Sequence, residues 1–213
     1  MITFDESIKL IKKYDLPIVK TFYSLDLGRL KNAFLKMEKP VVLKIYSPDI
    51  IHKTDVGCLV SEIYTLTQLK DAYKRILKNA FSFNPNARID TFILQETAKG
   101  IELIIGAKND ETFGKIILFG LGGIYAEIFE DVAIRALPID ESQADSMIKQ
   151  IKGFKILSGY RGKKYNLDAL RQLILKVAKL FEEQKIKEID LNPVFLDEKD
   201  AKIVDWKFYE EKL

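Results

Sequence analysis

Apolar residues in this chain switch between a helical and a strand period, and the switches lay out the elements. Ile8, Leu10 and Ile11 recur at helical spacing over 5–13, behind Asp5 as a candidate cap, and residues 16–19 then read as extended. A second helical pattern runs over 25–37 through Leu27, Leu30, Ala33 and Phe34; Pro40 ends it and VVLKIYS follows as a strand. Beyond a polar loop, CLVSEIY is β-rich, 67–77 is helical and IDTFILQ is again a strand. The second half changes rhythm. IELIIGAK, KIILFG and residues 124–134 read as consecutive strands with the spacers NDETF and GLGG, which predicts antiparallel neighbours. Helices are predicted over 141–151 and 167–181, and two last strand signals, KEIDLNPVFL and AKIVDWKFY, are joined by an acidic turn over 197–200. The pattern predicts an α/β (α+β) protein of two lobes, 1–95 and 96–213, sharing one cleft.

Composition narrows the class. At 213 residues, 47% apolar and 31% charged, the chain can fold around a substantial core. Its 34 basic and 31 acidic residues are spread throughout, leaving a net charge of +3 that is no nucleic-acid footprint. The longest apolar runs, VVLKI and KIILFGLGGI, fall short of the roughly 20 residues of a membrane helix. The start MITFDESIKLIKKYD carries early acids and no apolar run of signal length, so export is not expected. A single cysteine, Cys58, and no zinc-spaced Cys/His cluster point to a reducing, cytoplasmic compartment. Abundant Lys, Glu and Ile hint at a thermophile.

Three constellations can carry chemistry. Lys44 ends an apolar strand run and shares a face with Val42; the loop beyond it holds Pro48, Thr54, Gly57 and the only histidine, His52. Such a lysine can hold a phosphate as a point charge, and such a histidine can accept a phosphoryl group. A surface strand and a solvated loop histidine give the same pattern. Residues 120–124, GLGGI, let backbone N–H groups approach a ligand, as a plain turn also would. In EIDLNP, alternation puts Glu188, Asp190 and Asn192 on one strand face; an antiparallel return brings Asp205 beside Asn192. Oxygen ligands of this kind suit Mg²⁺, and a solvent-facing acidic edge is the other reading.

The ordered blocks KPVVLKIYSPDIIHKTDVG, LQETAKGIELIIGAKNDETFG, LFGLGGIYAEIFEDVAIRALPI, ILSGYRG and EIDLNPVF resemble the nucleotide-binding β subunit of ADP-forming acetyl-CoA synthetase. That family has the ATP-grasp fold, two α/β lobes with a nucleotide cleft, and is related to the β subunit of succinyl-CoA synthetase. The resemblance spans nearly the whole chain. It implies ATP/ADP and Mg²⁺ as cofactors. Lys44 falls on the lysine that binds nucleotide phosphates and Gly57 on the loop closing over them. Glu96, with Thr97 and Ala98, falls on the segment that reads base or ribose, and Glu102 on a further nucleotide-contacting glutamate. Asn192 and Asp205 fall on the Mg²⁺ ligands. His52 falls on the histidine proposed, in the archaeal two-subunit enzymes, to take a phosphoryl group from the partner's histidine. Asp190, from strand facing alone, is the candidate to orient it.

The implied reaction is acyl-CoA + ADP + phosphate ⇌ acid + ATP + CoA, with this chain performing the last part. The CoA-binding and phosphohistidine steps are expected on an α subunit, in an α₂β₂ assembly, with no nucleic acid or membrane involved. The sequence departs from the family where Cys58 replaces a second glycine and where Trp206-Lys207 follows Asp205 in place of small residues and arginine. Two other classes stay open: an ATP-grasp carboxylate–amine ligase using an acyl phosphate, and a non-catalytic nucleotide-binding regulatory subunit.

Overall fold

A computed structural model of the protein describes residues 1–123, 131–159 and 162–210. By contacts, Val19–Thr97 forms one compact unit, and Met1–Ile18 with Ala98–Leu213 forms the other. The first helix, α1 (Phe4–Lys13), therefore belongs with the C-terminal half, which moves residues 1–18 out of the lobe the sequence suggested. Its cap is Thr3, not Asp5. The Thr3 side chain accepts from Glu6 N while Glu6 returns a carboxylate oxygen to Thr3 N at 2.9 Å, a reciprocal pairing that needs the Thr-x-x-Glu spacing. Phe4, Ile8 and Ile11 are buried, and Ser7 Oγ accepts from Trp206 Nε1 at 3.1 Å. Residues 16–19 make only a single bridge, Ile18 to Ile203; the strand lies just beyond, at β1 (Thr21–Ser24).

In the 19–97 unit, β1 is followed by α2 (Leu27–Phe34), β2 (Val41–Tyr46), β3 (Leu59–Ile63), α3 (Leu66–Phe83) and β4 (Thr91–Glu96). The four strands form a sheet in the order β1-β4-β2-β3. Register pairs Leu43 with Leu94 and Lys44 with Ile93, so the two faces separate cleanly, because opposed residues point the same way. Val41, Leu43, Ile45, Phe92 and Leu94 join Leu30 and Phe34 of α2 and Leu69, Ile76 and Ala80 of α3 in one core. Each large apolar side chain buried there contributes about 1.5–3 kcal/mol. Val42, Lys44, Ile93 and Gln95 take the other face. Helix α3 runs six residues past the predicted end because the small Ala80 carries the buried stripe onward.

The other unit holds β5 (Ile101–Asp110), β6 (Gly114–Leu121), β7 (Val132–Ala136), α4 (Glu141–Gln150), the single turn α5 (Phe154–Leu157), α6 (Leu167–Glu183), β8 (Ile186–Leu196), β9 (Ala201–Ile203) and β10 (Trp206–Glu210). Their sheet runs β10-β8-β5-β6-β7, with β9 added beside β8, and all its pairings are antiparallel. Of the strand predicted over 124–134, residues 124–130 lie outside the described residues. The expected AKIVDWKFY strand is two strands. It breaks at Val204–Asp205, whose N–H groups turn to the carbonyl of Pro193 at 3.0 and 3.4 Å. Leu103, Ile105, Phe119, Ile189 and Leu191 are buried on the helix-covered face. Gly106, Lys108, Leu118, Glu188 and Asp190 occupy the other. Among the described residues no helix is long and apolar enough to cross a membrane.

Candidate functional site

Lys44 sits mid-sheet with 1% of its surface exposed, on the face away from α2 and α3. Burying an ammonium costs several kcal/mol unless partners offset it, which sets Lys44 apart from the apolar side chains beside it. Gln95 stands on the same face, also 1% exposed, and its Nε2 donates to Thr21 Oγ1 at 3.0 Å. After β2 the chain makes a compact turn. Val56 N donates to His52 O at 3.3 Å, Gly57 N to Thr54 O at 3.0 Å and Cys58 N to Lys53 O at 2.7 Å. His52 is exposed while the next residue, Lys53, is buried.

Gly57 fixes this turn, with φ at +69°, where an added Cβ would lie 2.6 Å from Asn79 Nδ2. Asn79 of α3 donates to Gly57 O at 2.9 Å and ties the turn to the helix. The positive φ favours glycine here, and an added Cβ would also displace the Asn79 amide that holds the turn. Cys58 needs no such freedom: among the described non-glycine residues only Asp15 and Glu62 have positive φ. Burial pushes the Cys58 thiol pKa up, which suits an inert packing residue.

Glu96 faces the other way. Its register partner is Val41, on the helix-covered face, and its carboxylate accepts from Glu38 N at 2.9 Å and pairs with Lys20 Nζ at 2.7 Å. Thr97 Oγ1 donates to Pro40 O at 2.8 Å. The side chains of Glu96 and Thr97 are thus tied to Glu38, Lys20 and Pro40.

In the other unit, Glu102 meets the glycine turn. Gly122 N donates to Glu102 O at 2.7 Å, and a Cβ on Gly123 would stand 2.7 Å from Glu102 Oε2. Leu103 opposes Val194 and Ile105 opposes Leu191, so Asn192 and Pro193 together oppose Ile104. Alternation keeps the exposed Asn192 on the face that carries Asp190, and the bulge falls at the Asn192–Pro193 step. Asn192 N donates to Asp205 O at 3.2 Å, which sets Asp205 beside Asn192. An exposed amide and a half-buried carboxylate offer oxygens of the kind Mg²⁺ can take, one or two from protein with water and phosphate completing the shell. Among the described residues no three His, Cys, Asp or Glu gather in a metal-binding group.

Asp190 accepts from Lys207 Nζ at 3.1 Å, with the lysine side chain 15% exposed. Burial works against the Lys207 ammonium, but the Asp190 carboxylate, with help from Asp205 and Tyr209, outweighs it and raises the pKa above the usual 10.5. A lysine pKa raised on folding stabilises fully below the unfolded value and loses that contribution as pH climbs through the folded one. Lys207→Met is therefore expected to cost about 1 kcal/mol at neutral pH. In urea melts at stepped pH, the gap from the parent should close above pH 10.5. A gap unchanged by pH would contradict the pair.

Lys44 and Gln95 thus share a face, Glu102 meets the glycine turn, Asn192 meets Asp205, and Asp190 meets Lys207. His52 and Asp190 belong to different units. Gln95 and Lys207 are additions to the set read from sequence. Strand alternation with Lys44 and the cross-strand register of Asp190 are the signals that identify them. Nothing in the sequence marks Lys53 as buried.

Residues 1–209 match the model of the ATP-grasp domain family. The β subunit of acetate–CoA ligase [ADP-forming] I from Pyrococcus furiosus is 37% identical, covering 94% of this chain and 88% of that one. The 4-hydroxybutyrate–CoA ligase [ADP-forming] of Nitrosopumilus maritimus is 39% identical over 92% of this chain, which spans only 28% of that longer protein. The dinucleotide-forming acetyl-coenzyme A synthetase 1 of Ca. Korarchaeum cryptofilum, solved with coenzyme A and Mg-AMPPCP, has its phosphohistidine segment pointing towards the nucleotide-binding site. That structure superposes with a TM-score of 0.81 at 32% identity, covering 97% of this chain and 91% of the other.

Proposed function

The chain belongs to the ATP-grasp domain family, and we propose that it is the nucleotide-binding β subunit of an ADP-forming acyl-CoA synthetase. The reading is carried by one observation: a lysine buried in β2 stands eight residues before an exposed histidine on a glycine-fixed turn. A fixed charge for phosphate and a nucleophile for phosphorus are thereby built into one short segment.

Lys44 offsets negative charge on the phosphates of ADP, and the backbone of 96–98 together with Glu102 holds the nucleoside. Asn192 and Asp205 hold Mg²⁺, which, when bound, neutralises charge on the transferring phosphoryl group. His52 takes a phosphoryl group from a histidine of the partner and passes it on. A terminal phosphate oxygen of ADP forms the new O–P bond as the N–P bond breaks, and the electron pair returns to the imidazole nitrogen. Asp190, held by Lys207, is assigned to orient the imidazole. The CoA and acyl-phosphate steps are assigned to an α subunit in a cytoplasmic α₂β₂ complex.

Calorimetric titration of the chain with ADP tests the nucleotide assignment. Removing Mg²⁺ is expected to weaken ADP binding at least about tenfold, and Asp205→Asn to erase most of that difference. Equal affinity with and without the metal would contradict it.

A further inference from the structure

A concave site lies in the 19–97 unit, on the helix-covered side of its sheet and away from the Lys44 face. Between β1 and α2 a cavity of about 340 Å³ is lined by the apolar Phe22, Ala33 and Met37, the cationic Lys20, Arg29 and Lys36, and the neutral polar Thr21 and Asn32. Its volume falls at the small end of ligand pockets, roughly 300–1,000 Å³. The nucleotide assignment uses none of these residues. Three cationic residues line this apolar ground, and no Asp or Glu is among its lining residues. Arg29 and Lys36 are exposed, which leaves their charges available to a ligand.

Lys20 links this site to the rest of the unit. Its ammonium pairs with Glu96 at 2.7 Å and reaches Lys36 O at 3.4 Å, and Glu96 N donates to Lys20 O at 3.1 Å. Glu96 begins the segment whose backbone is assigned to the nucleotide. An anion in the cavity and the Glu96 carboxylate therefore compete for one ammonium.

We propose that this groove binds a small organic carboxylate with an apolar body, and that binding is coupled through Lys20 to Glu96. The charge is held by Lys20, Arg29 and Lys36, and the body lies against Phe22, Ala33 and Met37. The cationic residues supply affinity through charge-assisted hydrogen bonds, and the apolar ones select for an apolar body. A small molecule fits better than an added peptide strand, because β1 is only four residues long. The binding claim stands apart from the nucleotide reading; only the coupling rests on it.

The test titrates the full chain with phenylacetate, hexanoate and the neutral control phenylacetamide, following backbone amides by NMR. Saturable shifts are expected over 20–37 and at Glu96, with the amide at least about tenfold weaker than the acid. Arg29→Gln and Lys36→Gln should each weaken the acids by about tenfold while leaving ADP binding without the acids unchanged. Non-saturating shifts, equal binding of acid and amide, or saturation only by an acidic peptide would overturn the site. A phenylacetate concentration that just saturates the parent should also change ADP affinity at least about twofold in the parent, and by less in Arg29→Gln at that same concentration. Unchanged affinity would overturn the coupling. If ADP does not bind at all, the nucleotide reading fails, while the groove titration still decides the carboxylate site by itself.

Discussion

His52→Ala is expected to cut phosphoryl passage to ADP at least about a thousandfold, while ADP with Mg²⁺ still binds within about twofold of the parent. The split follows from where the residue sits. Its side chain is exposed, and the turn around it is held by main-chain bonds from Val56, Gly57 and Cys58 and by Asn79, none of which uses the imidazole. Removing the ring should leave the turn intact and delete only the acceptor. The measurement is ATP formation from the phosphorylated partner and ADP, alongside calorimetry of ADP binding. Turnover that survives the substitution would favour a ligase that works through an acyl phosphate, with no phosphohistidine on this chain.

Lys44→Met should have the opposite signature, weakening ADP binding by about 10–100-fold in calorimetry. Methionine keeps the length of the stem and deletes the charge, at a position with 1% exposure in the middle of a four-stranded sheet. Thermal unfolding separates the causes. A variant that still unfolds cooperatively assigns the weaker binding to the missing charge, and one that does not assigns it to the sheet. Unchanged ADP affinity in a folded Lys44→Met protein would remove Lys44 from the site.

Strand period carried much of this fold. Alternation separated Val42 and Lys44 from Leu43 and Ile45, and Glu188, Asp190 and Asn192 from Ile189 and Leu191, and the register repeats those faces. Asp205 beside Asn192 was legible for the same reason. Features set by one or two local bonds were harder to read. The cap moved from Asp5 to Thr3 because the reciprocal Thr3–Glu6 bonds decide it. The last strand split because Val204 and Asp205 turn to the Pro193 carbonyl, a contact that periodicity cannot show. Glu96 is the instructive residue at the site. Family resemblance marked its position, whereas pairing with Val41 turns its side chain to Glu38 and Lys20 and leaves the neighbouring Gln95 on the Lys44 face.

The central claim is that His52 carries the phosphoryl group between the partner and ADP. The most direct measurement incubates the chain with its partner, Mg²⁺ and γ-phosphate-labelled ATP, then maps acid-labile, base-stable label on this chain by peptide. Label is expected on the peptide containing His52, and its loss in His52→Ala. Label of that kind elsewhere on the chain, or label that persists in His52→Ala, would contradict the claim.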